Sequence, residues 1–275
     1  MSANSPRPAH QTFQGEAVSN PNARRDERSA FFDRWGVMIV EYALDSACLK
    51  SLDDVVVRGR SMATETSRAP EDLSSELFDE ILSVQPLMDL AKELCWPSLS
   101  GTNPETNPRP VRLLRAAVLD KTPEANWFVP WHQDRCRPWL ASGDLPLPRE
   151  ARQYGLRKQG VGLTQQIELP PDYLARMVTL RIHLDTCGSD DGPLEVVRGS
   201  HRKGVLDQKQ IAAVVADEAT HLCLAERGDI LAMRPLVVHR SQRARIPRTR
   251  RVLHLDLVPD TVSGGQNELN DTPMM

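Results

Sequence analysis

From residue 111 onward the apolar residues alternate with polar ones or run together in short blocks, as in "VRLLRAAVLD", "WFVPWHQD", "MVTLRIHLD", "LEVVRG", "DILAMRPLVVH" and "RRVLHLDLV". Clusters of Gly, Pro and Asp such as "GSDDGP" and "ERGD" cut the blocks apart. Short strands in succession, with turn residues between them, predict an all-β sandwich or barrel rather than βαβ units. Upstream the period differs. "RRDERSAFFDRW" suits a short amphipathic helix and "GVMIVEYAL" a strand, with Asp45 placed to cap a helix over "SACLKSLDDVV". "SSELFDEILSVQPLMDLAKELC" carries apolar residues at helical spacing, and Pro86 is expected to break or kink it.

Two stretches lack either period. Residues 1–26 are rich in Ser, Pro, Asn and Gln and read as a disordered tail, and residues 261–275 as a flexible one. Residues 137–173 form a long, irregular insert whose length suits a lid over a site. The expected organisation is a single domain over 27–260, with N-terminal helices at about 27–100 and a β core at about 105–260.

Composition narrows the class. The 275 residues contain 40% hydrophobic and 26% charged positions, an ordinary globular mixture, and the net charge of −3 offers no field for nucleic acid or an anionic membrane. Five scattered cysteines with no CxxC pair argue against a disulfide framework and against structural zinc. With no apolar leader and no run long enough for a membrane helix, the chain is expected to be cytoplasmic, a monomer or homodimer acting on a small molecule.

One constellation carries chemistry. His132 and Asp134 sit two apart on a predicted strand and so project to one face. Alone, that pair is more often an ordinary strand than a metal site. His239 closes another strand 107 residues later, and an imidazole pair with one carboxylate is the ligand set of non-haem Fe(II) oxygenases. Arg250 follows eleven residues after His239 at the start of "RRVLHLDLV", where a guanidinium can take a carboxylate bidentately; its neighbour Arg251 is a rival because adjacent residues face opposite ways. Thr179, Arg181, His183 and Asp185 share one face of their strand, so that Arg181 and Arg115 are candidate contacts for an acidic ligand. Asn126 is a candidate neighbour of the cosubstrate, and Gln133 and Trp139 are candidate substrate contacts. Trp127 and Trp131 read as core packing, His201 as a structural loop residue, and the arginines at 240, 243, 245 and 248 as a solvated loop or a landing point for an anion.

"DKTPEANWFVPWHQD", "DDGPLEVVRGSHRKG", "GDILAMRPLVVHRS" and "RRVLHLDLV" resemble the phytanoyl-CoA dioxygenase family of Fe(II)/2-oxoglutarate-dependent oxygenases, over roughly residues 105–258. The resemblance implies a double-stranded β-helix (jelly-roll, cupin-like), mainly β with flanking helices. It implies Fe(II) held by His132, Asp134 and His239, with Arg250, assisted by Ser241, on the distal carboxylate of 2-oxoglutarate. O2 would be the second cosubstrate, and hydroxylation with release of succinate and CO2 the expected outcome; an insert rich in Arg, Lys and Gln, with the inward arginines, suggests a polar or anionic substrate. Relatives that halogenate carbon replace the carboxylate with a small residue, so Asp134 favours oxygenation. Two positions depart from the pattern: the usual "PGSH" reads "RGSH" at Arg198 to His201, and Arg181 stands where many members carry Trp. The alternative reading is a cupin-like module that binds metal or ligand as a sensor without oxygenase activity.

Overall fold

A computed structural model describes residues 11–12, 25–62, 71–96, 110–138, 152–159 and 162–259. In chain order the elements are β1 (Gln11–Thr12), α1 (Arg25–Trp35), β2 (Val37–Val40), α2 (Ser46–Met62), β3 (Glu71–Asp72), α3 (Phe78–Leu82), α4 (Gln85–Cys95), β4 (Val111–Lys121) and β5 (Val129–His132). There follow β6 (Cys136–Pro138), β7 (Arg152–Gln159), β8 (Gly162–Glu168), α5 (Pro171–Arg176), β9 (Val178–His183) and β10 (Leu194–Val197). The last are α6 (Gln208–Asp217), β11 (His221–Cys223), β12 (Ile230–Met233), β13 (Val238–Ser241) and β14 (Arg250–Pro259).

The larger sheet has the order β2-β12-β9-β14-β4-β3 and the smaller β1-β11-β10-β13-β5. Apart from the parallel β1–β11 pair, neighbouring strands in both sheets are antiparallel. At one end the two sheets close on each other through a dry cluster that takes Val37, Ile39, Leu231 and Met233 from one side and Leu194, Val196 and Cys223 from the other. This is the jelly-roll architecture expected from the sequence.

The outer face of the larger sheet is covered by helices. Leu180, Ile182, Leu253, Leu255 and Leu257 meet Leu87, Leu90, Ala91 and Leu94 of α4 in one buried cluster with residues of α2. Pro86 sits in the first turn of α4, where its missing N–H costs nothing, and the helical stretch breaks just before it, as the sequence predicts. Asp45 caps α2 by accepting from the Cys48 N–H at 2.8 Å.

Three expectations need correction. "DILAMRPLVVH" is not one strand: β12 and β13 lie in different sheets, and the chain changes sheet through the turn Arg234–Val237. Pro235 has no N–H to offer a ladder, so the break falls there. Arg234 holds the corner, donating to Asp33 Oδ1 at 3.0 Å, Leu94 O at 3.2 Å and Met177 O at 3.2 Å. Second, residues 137–173 are not all irregular: β7 and β8 form a hairpin that continues onto β6, as a third small sheet. Third, Gln11 and Thr12, within the stretch expected to be disordered, pair with β11, and α1 begins at Arg25. The remainder of both tails, 1–10, 13–24 and 260–275, lies outside the described residues.

Candidate active site

β5 and β13 are neighbours in the smaller sheet, and the register sets His132 directly opposite His239. The imidazole centroids lie 4.2 Å apart. Asp134 follows just after β5, and its backbone N–H is held by Pro235 O at 2.9 Å. Its carboxylate stands between the rings, with Oδ1 3.4 Å from His132 Nε2 and Oδ2 3.7 Å from His239 Nε2. One ligand atom from each of the three lies within 4.8 Å of the others.

The tautomers follow from the backbone. His132 Nδ1 is 2.8 Å from Pro130 O, and His239 Nδ1 is 2.8 Å from Val237 O. A carbonyl oxygen only accepts, so each Nδ1 carries the hydrogen, and in the neutral ring each Nε2 turns a lone pair toward Asp134. This is the outer support that metal-bound imidazoles characteristically have. Burial, and then the nearby His132, push the His239 imidazolium down to about 3, so this ring is neutral at ordinary pH. Burial also works against charge on His132, but the Asp134 carboxylate outweighs it and holds that ring above its usual value. Two aligned lone pairs and a carboxylate fit a divalent first-row metal ion.

The triad opens into a cavity of about 110 Å³ between the sheets, far more than the roughly 10–15 Å³ a single water needs. Arg115, Leu119, Lys121, Arg181, Arg250 and His254 line it from the larger sheet, and Val129, Leu194 and Ser241 from the smaller. Alternation explains the set. Leu180, Ile182, Leu253 and Leu255 point outward into the helices, so Arg181, Arg250 and His254 point inward. Arg250, and not Arg251, faces the cavity. Arg251 turns away to bind Asp185 at 2.8 Å and Asp53 at 3.0 Å.

Arg250 is 3% exposed, its Nε meets no hydrogen-bond partner among the described residues, and its Nη1 reaches only the Cys187 sulfur at 3.8 Å. A guanidinium this deep is costly unless paired. Its unmet donor is therefore the observation that fits an anionic ligand in the cavity. Arg181 lies beside it, with burial and then Arg250 lowering its charge affinity to about 10. Arg115 is already engaged, donating from Nε to Asp72 Oδ1 at 2.6 Å.

Not every predicted contact reaches the cavity. Gln133 is buried on the opposite face, where its amide donates to Gly204 O and Leu236 O and accepts from the Leu206 N–H, each at 2.8 Å. Asn126 clasps the backbone of Ala244, donating at 2.9 Å and accepting at 2.8 Å, and so braces the loop after β13. Trp139 lies outside the described residues. Trp131 packs beside Leu206, Ile211 and Val238, as a core residue would, whereas Trp127 lines the cavity instead. The loop arginines at 240, 243, 245 and 248 are engaged: Arg240 with Glu195, Arg243 with Asn126 O, Arg245 with Asp190 and Arg248 with Asp191. In "RGSH", Gly199 takes the left-handed conformation at φ 77°, and Arg198 stacks on Trp35, 4.2 Å from the ring centroid. His201 packs outside the site on Gly36 and Asp33 O. Lys121 is the cavity residue that the sequence reading missed. Its signal is a lysine two positions beyond Leu119 on the strand face that also carries Arg115, eleven residues before His132.

Residues 160–252 match the phytanoyl-CoA dioxygenase (PhyH) family. The family resemblance seen in the sequence is borne out over that segment, which contains His239, Ser241 and Arg250 and ends before it reaches back to His132. No curated protein matches the chain. Among solved structures, AviO1 from Streptomyces viridochromogenes Tue57 is 19% identical, with 86% of this chain and 96% of that chain covered at a TM-score of 0.55. EctD from S. alaskensis, solved with 2-oxoglutarate and 5-hydroxyectoine, is 15% identical, with 91% and 79% covered at 0.58. The epimerase SnoN, in complex with Fe3+, alpha ketoglutarate and nogalamycin RO, is 14% identical, with 85% and 83% covered at 0.56. The fold is the one these proteins share.

Proposed function

We propose that the protein is an Fe(II)/2-oxoglutarate-dependent dioxygenase that hydroxylates an unactivated C–H bond of a polar or anionic small molecule. The observation that carries this reading is one cavity holding three convergent metal donors and a buried arginine with an unmet hydrogen-bond donor. The matched family segment and the iron- and 2-oxoglutarate-bound structures of the same fold support it. When bound, iron with 2-oxoglutarate and O2 supplies an oxidant able to take hydrogen from unactivated carbon, and 2-oxoglutarate leaves as succinate and CO2.

The residues divide the remaining work. His132 and His239 present Nε2, each fixed in its tautomer by a backbone carbonyl, and Asp134 adds an anionic oxygen. That leaves one side of the metal position open to the cavity, where cosubstrate and substrate must meet. Arg250 offers a two-pronged donor to a carboxylate at the cavity floor, and Ser241 adds a hydroxyl. Arg181 provides a further cation toward the triad and suits an acidic group on cosubstrate or substrate. The apolar cluster behind β9 and β14 keeps that wall dry, which strengthens each polar contact within. The insert at 137–173 is proposed as the lid, and β6 anchors it two residues beyond Asp134. Because an epimerase shares the fold, the position of the substrate carbon against the triad, rather than the triad itself, selects between hydroxylation and other outcomes.

The test is succinate formation from 2-oxoglutarate by the Fe(II)-loaded protein with a panel of carboxylated and phosphorylated small molecules. Stimulation by an anionic compound, abolished in Asp134→Ala, is expected. Iron binding with neither succinate formation nor 2-oxoglutarate binding would overturn the reading and favour a metal-binding module.

A further inference from the structure

Lys121 has no task in the mechanism above, yet it is built into the cavity with care. It ends β4 directly opposite Arg250 of β14 and is 1% exposed. Its Nζ donates to Ser241 Oγ at 2.9 Å and to the Gln242 carbonyl. The backbone is shaped around it: Gly192 adopts φ 64°, and a Cβ at that position would stand 2.8 Å from Nζ. All the hydrogen-bond acceptors it has among the described residues are neutral oxygens. The groups that face it do not supply a counter-charge. Arg250 comes from β14, Arg181 from β9 and the Cys187 thiol from the loop after β9. The Trp127 ring lies 5.8 Å from Nζ, and Asp134, the one carboxylate of the lining, stands between the two imidazoles. Two buried cations on facing strand positions repel each other, and an anion between them turns that cost into attraction.

We infer that Lys121 is a second cosubstrate-binding cation, which joins Arg250 and Ser241 in receiving the distal carboxylate of 2-oxoglutarate. This rests on the 2-oxoglutarate reading above and goes beyond its Arg–Ser pair. Arg250 supplies a fork and Lys121 a point charge, and the Ser241 hydroxyl, already bonded to Nζ, lies within reach of the same anion. Burial, and then Arg250, push the free ammonium down to about 7. An arriving carboxylate raises it again. The charged form therefore binds: affinity is full below about 7, and above it binding must draw a proton from solvent. Affinity then falls by up to about tenfold per pH unit until the raised value in the complex is passed.

The experiment is calorimetric titration of 2-oxoglutarate into the Ni(II)-loaded full chain at about pH 6.5 and about pH 8.5, in buffers of differing ionisation enthalpy. Wild type, Lys121→Gln and Lys121→Arg are compared. The wild type is expected to take up close to one proton on binding at the higher pH. Lys121→Gln is expected to bind at least about tenfold more weakly at the lower pH, the worth of one charge-assisted hydrogen bond, and to lose the uptake. Lys121→Arg is expected to restore affinity without pH dependence. Binding by Lys121→Gln within about twofold of wild type would overturn the assignment, and so would zero proton uptake by the wild type. If Lys121→Gln fails to fold, the wild-type proton count decides alone. A nickel-loaded wild type that binds no 2-oxoglutarate at either pH overturns the parent reading, a result distinct from a cosubstrate that binds without Lys121.

Discussion

The two faces of β9 and β14 are made of alternate residues of the same strands, yet they follow opposite rules. The outer face, with Leu180, Ile182, Leu253, Leu255 and Leu257, is dry, apolar and pressed against helices. The inner face, with Thr179, Arg181, His183, Arg250, His254 and Asp256, is buried and mostly polar. Part of the inner face pairs within itself: Thr179 Oγ1 donates to Asp256 Oδ1 at 2.8 Å, and His254 Nε2 lies 3.2 Å from the same atom. At the cavity, Arg250 keeps an Nε that meets no hydrogen-bond partner among the described residues. Burying unpaired polar groups works against stability, so the outer face has to carry the fold.

That division can be broken from either side. Leu255→Ala, fully buried on the outer face, should cost about 2–5 kcal/mol through lost burial and a residual cavity, read as a lower denaturant midpoint. Metal stoichiometry in the surviving folded protein should be unchanged. On the far side of β5, Gln133→Leu leaves three backbone groups without their partner and should destabilise by about 1–3 kcal/mol, although it touches no cavity atom. Thr179→Val removes one buried hydrogen bond from the inner face and should cost about 1 kcal/mol in the same measurement.

The smallest effect belongs to the rim. The Arg251 bonds to Asp185 outweigh burial and hold its carboxyl below the usual value. A lowered carboxylate stabilises the fold above its unfolded value, about 3.9, and that contribution fades as pH falls through the still lower folded value. Because both partners are partly exposed, Asp185→Asn should lose only about 0–1 kcal/mol at neutral pH. The stability difference between the two proteins should shrink as pH falls through the lowered folded value of that carboxyl.

Period-two alternation made the inner and outer faces of β9 readable in advance, and with them Arg181, whereas the choice of Arg250 over Arg251 came from the family spacing. The metal triad was readable because two of its members are i, i+2 on one strand and the third ends another. Other features depend on the third dimension. The chain's change of sheet at Arg234–Val237 is hidden within an apolar run, and what fixes it is Arg234 reaching to α1 and α4. Gln133 sits between two cavity residues in sequence, but strand alternation turns it to the α6 side, and Asn126 is taken by a loop backbone 118 residues away. Lys121 was missed because its place at the end of β4 does not reveal what it faces. Its role comes from the β4–β14 register, which sets it against Arg250.

The central claim is that His132, Asp134 and His239 hold a metal ion in the cavity that Arg250 closes with the cosubstrate. The most direct test is anaerobic titration of the purified chain with Fe(II) and then 2-oxoglutarate, following the visible charge-transfer absorption that forms only when the keto acid chelates the iron. A band at one iron and one 2-oxoglutarate per chain is expected, lost in Asp134→Ala and needing much higher 2-oxoglutarate in Arg250→Ala. Iron bound at one per chain with no band at saturating 2-oxoglutarate, or a band that survives unchanged in Asp134→Ala, would contradict it.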